Sequence, residues 1–334
     1  MDLGEKWREL GLGGRLEVGE GFLEVDGKVM DLRKPRLRSL KERAAYLLYL
    51  KEIVRDERYN AAIIGAWRSG KLVEPPEMKI NTAFLFLPFI LTVPAALLAH
   101  HLTLQILTGV VAILGSYIAL YLIIKSKCIK IDFLTIIKTK YNDIEFLKKN
   151  KKKILENPSI LGDYEIYHLN AKGLCVVKDR AANALSLEAP FGSLIIVTTG
   201  LLAKLTPEEV EAALRHEEGH IKLHHMYKIL IFLISEFILR SYLIYYVYSN
   251  ISLYLIGLHL IGASLLYTSL IRLYEYEADK YAGSRHLATG LLKVGWNDVV
   301  EDVLYPGYSK LKFLVKTHPN TLDRVLRIWT SSGI

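Results

Sequence analysis

Two long apolar stretches dominate the hydrophobic pattern of this chain. Residues 80–124 hold no Asp, Glu, Lys or Arg, and residues 229–271 hold only Glu236 and Arg240. A bilayer core of about 30 Å takes roughly 20 apolar residues as a helix, so each stretch is long enough for two crossings. The first divides at His100–His101 into about Thr82–Ala99 and Thr103–Ile124. Pro88 and Pro94 fall inside the first of these segments, where lipid-embedded helices tolerate them by kinking. The second stretch divides at Ser249–Asn250 into about Leu230–Tyr248 and Ile251–Leu270. The competing reading is a pair of buried hairpins in a soluble core; runs this long without charge fit the membrane criterion better. Glu236 and Arg240 are four residues apart and share a helix face. They are expected to form an ion pair turned toward neighbouring helices, the alternative being a role in substrate access.

Shorter patterns lie outside these stretches. Phe22–Met30 alternates around Asp26-Gly27, a hairpin signal, and Arg38–Val54 repeats apolar residues at helical spacing. Glu165–Leu169, Leu174–Val177 and Ser193–Thr199 read as short strands. The fold expected is mainly α with a small β-sheet. The expected arrangement is an integral membrane protein with four transmembrane helices in two hairpins and a cytoplasmic domain. The divisions are an N-terminal soluble module over 1–79, hairpin 1 over 80–124, a cytoplasmic part over 125–228, hairpin 2 over 229–271 and a second cytoplasmic part over 272–334.

Composition sharpens this. The chain of 334 residues is 51% hydrophobic with a net charge of +8, but that average hides two populations. Outside the apolar stretches the charge content is that of an ordinary soluble protein, which disfavours a disordered chain, a disulfide scaffold and a plain cytosolic globule. Cys128 and Cys175 form no C-x-x-C pair, and two thiols in this length fit a reducing compartment. The charged N-terminus does not read as a cleavable signal peptide. Lys and Arg flank both hairpins, at Arg68, Lys71, Lys79, Lys125, Lys127 and Lys130 and at Lys222, Lys228, Arg272 and Lys280, while neither hairpin turn carries one. The positive-inside rule then puts the N-terminus, the C-terminus and all soluble parts on the cytoplasmic side of the plasma membrane. The positive charge is thus a topology signal rather than a nucleic-acid signal. The basic run Lys148–Lys153 faces the same side and is either a solvated surface or a contact for anionic lipid.

The chemistry lies after Leu205. Thr206 suits a helix N-cap, Pro207 its first turn, and Glu209 completes a capping box. That helix carries His216-Glu217-Glu218-Gly219-His220. Histidines at i and i+4 share one face and reach one metal ion, and Glu217 is the general base for water activated there. The extended three-histidine form is absent, since Leu223 and Met226 stand at its positions. Glu275-Tyr276-Glu277-Ala278-Asp279 supplies the missing ligand. An even number of crossings separates it from the histidines, and Glu275 and Asp279 at i and i+4 project together. Glu275 is assigned to the metal and Asp279 to the tautomer of a ligand histidine; Glu277 points elsewhere. His224 and His225 follow on the same helical pattern, and His224, about 12 Å along the axis from His216, reads as a surface residue. His100, His101, His168, His259 and His286 have no partner motif.

Taken together, residues 80–334 resemble the HtpX-type membrane metalloproteases, relatives of the CAAX prenyl endopeptidases. The likeness rests on the paired hydrophobic crossings, Asn183-Ala184, Val197-Thr198-Thr199-Gly200-Leu201-Leu202, the H-E-x-x-H helix, Glu275–Asp279 and Thr317-His318-Pro319. The resemblance implies that the cytoplasmic domain is a zincin-like protease domain with a cytoplasmic active site: a zinc endopeptidase of protein quality control and stress response, with one Zn2+ per chain held by His216, His220 and Glu275, that cleaves membrane or misfolded proteins. It implies that Asn183 and the strand Ser193–Thr199, with Val197, Thr198 and Thr199, form an edge holding extended substrate. It also implies that His318 stabilises the oxyanion, with Arg324 supporting it or the substrate. The chain departs from the family at His225, where Asp is frequent, and at Glu218, a position commonly apolar. Partners implied are protein or peptide substrates and the lipid bilayer. The alternatives are a prenyl-peptide endopeptidase and a membrane scaffold or sensor with a vestigial site.

Overall fold

Asp26 and Gly27 both take positive φ, 51° and 80°, the pairing a two-residue hairpin turn needs. Around them β1 (Leu16–Gly19), β2 (Phe22–Val25) and β3 (Lys28–Asp31) form an antiparallel sheet in sequence order, preceded by α1 (Leu3–Glu9). α2 (Leu40–Ile53) starts at a capping box of Ser39 and Glu42. In this computed structural model the described residues are 3–11, 13–55, 59–78, 101–246, 253–307 and 318–331. The first expected crossing, Thr82–Ala99, lies outside them, as do Lys79, His100, the turn Ser249–Asn250 and Thr317.

β4 (Ala61–Arg68) and β5 (Lys71–Val73) join β6 (Phe133–Thr139) and β7 (Tyr164–Asn170) in an antiparallel sheet of order β5-β4-β6-β7. This sheet runs across the boundary expected at residue 79, pairing Ile63 with Ile137 and Ile64 with Ile136. Likewise α2 does not stand apart. Its Ala45, Tyr46 and Leu50 share a core with Leu287, Ala288, Leu292, Val299 and Val325 from the C-terminal helices.

α3 (Leu102–Lys127) follows, and further along the chain come α8 (His225–Tyr246) and α9 (Leu253–Ala282). Of these α3 and α8 are long and apolar enough to cross a membrane. α3 packs on α8 where Gly109 admits the Phe237 ring; a Cβ on Gly109 would stand 2.0 Å from that ring. Ile113, Tyr117, Leu230 and Phe237 fill the seam. The outer faces expose Leu107 and Val111 on α3, Ile231 and Leu239 on α8, and Leu258 and Ile261 on α9. On α8 Glu236 is buried, 3.1 Å from Arg240 and 3.4 Å from His259 of α9.

Between the first membrane-type helix and the second sit the short helices α4 (Ile144–Lys149) and α5 (Lys151–Glu156) and a three-stranded sheet. That sheet contains β8 (Leu174–Val177), β9 (Ala184–Ala189) and β10 (Gly192–Thr198) in the order β8-β10-β9. β10 runs parallel to β8 and antiparallel to β9. The strand read from sequence as the substrate-holding edge is therefore the middle strand, with both of its sides paired, and among the described residues β8 and β9 are the outer strands. A second correction concerns the cysteines. Cys128 at the end of α3 and Cys175 on β8 are not separate thiols but are joined as a disulfide, with Cα atoms 5.3 Å apart. The chain after α3 bridges β8 through Lys130 and Cys175, which brings the two sulfurs together.

α6 (Thr199–Lys204) leads into α7 (Pro207–Lys222). Thr206 accepts from the Glu209 backbone and Glu209 accepts from the Thr206 N–H, with Pro207 in the first turn. Such an N-cap stabilises by about 1 kcal/mol. α9 crosses α7 at Gly219, where a Cβ would meet Tyr281 at 3.1 Å; hydrogen at that position lets the two helices approach. α10 (Arg285–Val294), α11 (Trp296–Leu304) and α12 (Thr321–Ser331) close the far side of α7 and α9.

Candidate metal centre

Helical period alone brings His216 and His220 onto one face of α7. Their Nε2 atoms are 3.2 Å apart and the rings stand edge to face. Glu275 and Asp279 stand four residues apart on α9, so one helix delivers both carboxylates to α7. Glu275 Oε2 is 3.6 Å from His216 Nε2, and Glu275 Oε1 is 3.6 Å from His220 Nε2. The three residues offer one ligand atom each within 4.8 Å of one another. Ligands at 2.0–2.1 Å around a tetrahedral zinc stand about 3.3 Å apart, so two imidazole nitrogens 3.2 Å apart, with a different oxygen of the carboxylate 3.6 Å from each, fit zinc in donor type and in size. Zinc held in this way retains a fourth position for water or substrate, as a catalytic site requires.

Behind the ligands lies a buried charge network. Asp279 Oδ1 is 3.0 Å from His216 Nδ1. Arg324 of α12 places Nη1 2.9 Å from Glu275 and bonds Asp279 through Nε and Nη2 at 2.8 and 2.6 Å. Arg324, Glu275 and Asp279 are all buried, and a fork of this kind holds two carboxylates at fixed positions. Burial opposes ionisation of Glu275, but Arg324, His216 and His318 outweigh it and hold the carboxyl well below its ordinary range. Asp279 is lowered in the same way against its burial, by His216 and Arg324. Burial also opposes charge on His216, yet the hydrogen bonds of Asp279 and Glu275 prevail and raise its pKa to about 9. His220 has no such pair and burial lowers it to about 3, leaving a neutral imidazole. In the metal-free site these carboxylates favour the protonated form of His216. Metal uptake expels that proton, because a ligand histidine must be neutral.

Glu217 is buried next to the ligands and is not among the three that converge. Burial raises its pKa, against the pull of His216 and of Ser186 on β9. A carboxylate moved toward neutrality in this way is suited to take up and release a proton. His318 stands on the rim with its side chain 65% exposed and its Nδ1 3.2 Å from Glu275 Oε1; that hydrogen bond raises its pKa.

The residues expected on the substrate side divide. Asn183 is half-buried at the start of the outer strand β9, whereas Val197 and Thr198 on β10 are fully buried. Thr198 is occupied structurally, capping α6 and bonding the Ala181 and Asn183 carbonyls. Thr199 donates to the Asp179 carbonyl, and Ser193 is exposed at the far end of β10, paired with Glu188. Arg324 is turned into the charge network instead of toward an open surface.

Sequence reasoning missed two partners. His225, read as part of a continuing helix, is buried against His220 because α7 ends at Lys222 and His224 takes a φ of +55°. That left-handed residue restarts the helix in a new direction, so the 3.6-residue period no longer says where His225 points. His224 itself leaves the site and bonds Glu188 on β9 at 2.5 Å. Glu277 pairs with His225. The signal available in the sequence was the mismatch between two histidines and any single helical face.

Among known proteins, a 54-residue stretch is 41% identical to "Protease HtpX homolog 2" of Methanosarcina acetivorans; it covers 16% of this chain and 18% of that one. The crystal structure of Ste24p from S. mikatae aligns over 74% of this chain and 63% of its own length, with 18% identity and a TM-score of 0.45. Residues 167–330, which span both halves of the metal site, match the model of Peptidase family M48.

Proposed function

We propose that this chain is a zinc-dependent, membrane-anchored endopeptidase that hydrolyses membrane or misfolded proteins in quality control. The observation that carries this reading is the convergence of His216, His220 and Glu275 in a chain whose residues 167–330 match Peptidase family M48, with Glu217 beside them and the outer strand β9 alongside. Zinc held by the triad supplies a Lewis acid for the scissile carbonyl and for water. Glu217 accepts the proton of the attacking water as the new C–O bond forms. It then delivers that proton to the leaving amine as the C–N bond breaks. His318, whose Nδ1 stands against Glu275, donates from its other ring nitrogen to the developing oxyanion. Asp279 and Arg324 keep His216 and Glu275 in place through the step. An extended substrate adds to β9 through main-chain hydrogen bonds, which accepts many sequences and suits unfolded chains.

The membrane part of the reading has its own support. Exposed Leu, Ile and Val side chains run along α3, α8 and α9. A belt of that extent is costly in water and favourable in lipid. Two crossings fit α3 and α8, and a four-crossing arrangement would add the first half of α9 and the stretch about Thr82–Ala99. The basic flanks put the site on the cytoplasmic face.

The test is cleavage of casein by the purified chain in detergent, with and without a zinc chelator. Cleavage that the chelator abolishes is the expected result. Cleavage indifferent to the chelator would refute the zinc mechanism, and a zinc-loaded chain that cleaves nothing would favour a scaffold or sensor.

A further inference from the structure

The helix break after α7 has a chemical consequence. His225 is 1% exposed and stands between a metal-site histidine and a carboxylate. Its Nδ1 is 2.9 Å from Nδ1 of His220, and its Nε2 is 2.9 Å from Glu277 Oε2. The ring is clamped against Tyr274, with centroids 4.6 Å apart and planes inclined by 15°. Lys228 lies 3.9 Å from Glu277 and over the Tyr274 ring.

Only one assignment of protons satisfies these contacts together. His220 must leave Nε2 free for the metal, so its proton sits on Nδ1 and points at His225. Nδ1 of His225 accepts it, which places the His225 proton on Nε2, facing the Glu277 carboxylate. A carboxylate oxygen only accepts, so the direction of every bond is fixed from Glu277 inward.

We propose that His225 and Glu277 are positioning residues for the metal. Together they form a carboxylate–histidine–histidine relay that fixes the tautomer and ring orientation of His220. His216 has its outer partner in Asp279; His225 is the matching partner for His220, and Glu277 orients His225. Ligand histidines backed in this way gain basicity and a locked ring, and loss of the outer partner typically costs 10–100-fold in metal affinity. The relay also ties the metal to the membrane segment, because His225 is the first residue of α8 and Glu277 lies on α9. The inference rests on the metallopeptidase reading above.

The experiment uses the full chain in detergent. Zinc affinity is measured by competition with a chromogenic chelator, and the cobalt-substituted protein is examined by visible absorption. The variants are His225→Ala, His225→Asn and Glu277→Gln. Zinc binding about 10–100-fold weaker in His225→Ala, with a shifted cobalt spectrum, is expected. His225→Asn, whose side-chain oxygen can still accept from His220, should recover most of the loss. Glu277→Gln alters a half-exposed residue and keeps the test open even where His225→Ala fails to fold; it should weaken zinc by a smaller factor in the same direction. Parent-like zinc affinity and cobalt spectra in the variants would overturn the relay, including where the metal-free protein merely melts earlier. A parent chain that binds no zinc would overturn the metallopeptidase reading itself, which is a separate result.

Discussion

Glu217→Gln is expected to fold, to bind zinc as the parent does, and to lose cleavage by about 10²–10⁴-fold, the range of a general acid–base contribution. Glu217 is not one of the three converging donors, so the amide leaves them untouched. Burial raises the pKa of Glu217, which means its ionised form is the one the fold disfavours. A neutral amide of the same shape removes that cost, and thermal stability should therefore be unchanged or higher. Lost activity can then be separated from lost structure by a melting curve and a zinc determination on the same preparation. A variant that cleaves as fast as the parent would remove Glu217 from the mechanism.

Glu275→Ala should act on a different quantity. It removes a metal ligand, so zinc affinity should fall by more than the roughly 100-fold ceiling typical of outer-shell changes. It also takes away partners of Arg324 and His318. Stripping the only partner of a buried charge costs about 3–5 kcal/mol, but Asp279 keeps both of its bonds to Arg324, so the loss in stability should be smaller. Glu277→Ala is the control on the same helix. It should retain zinc, with a decrease confined to the outer-shell range. Equal loss in the two variants, measured by equilibrium dialysis, would undo the assignment of Glu275 as the ligand.

The metal site was legible in the sequence to the extent that it is local. His216 with His220 and Glu275 with Asp279 are both i, i+4 pairs, and helical period says that each pair faces one way. The capping box at Thr206 and the turn at Asp26-Gly27 were readable for the same reason. What could not be read depends on chain segments meeting across distance. No periodicity reports strand order, so the sequence does not reveal that β10 is the middle strand of its sheet. β6 was missed because Leu134–Thr139 is buried on both faces and shows no alternation. Arg324 reaches Asp279 across 45 residues. His225 was misplaced because a single left-handed residue, His224, reset the helix direction. The cysteine pairing depends on where β8 lies, which no spacing rule contains.

The central claim is that one metal ion at His216, His220 and Glu275 makes this chain a protease. The most direct test is to strip the purified protein of metal and then restore zinc in steps while following cleavage of casein. The account predicts no cleavage in the stripped protein and a return in proportion to zinc, ending at one ion per chain. Full cleavage by the metal-free protein would contradict it.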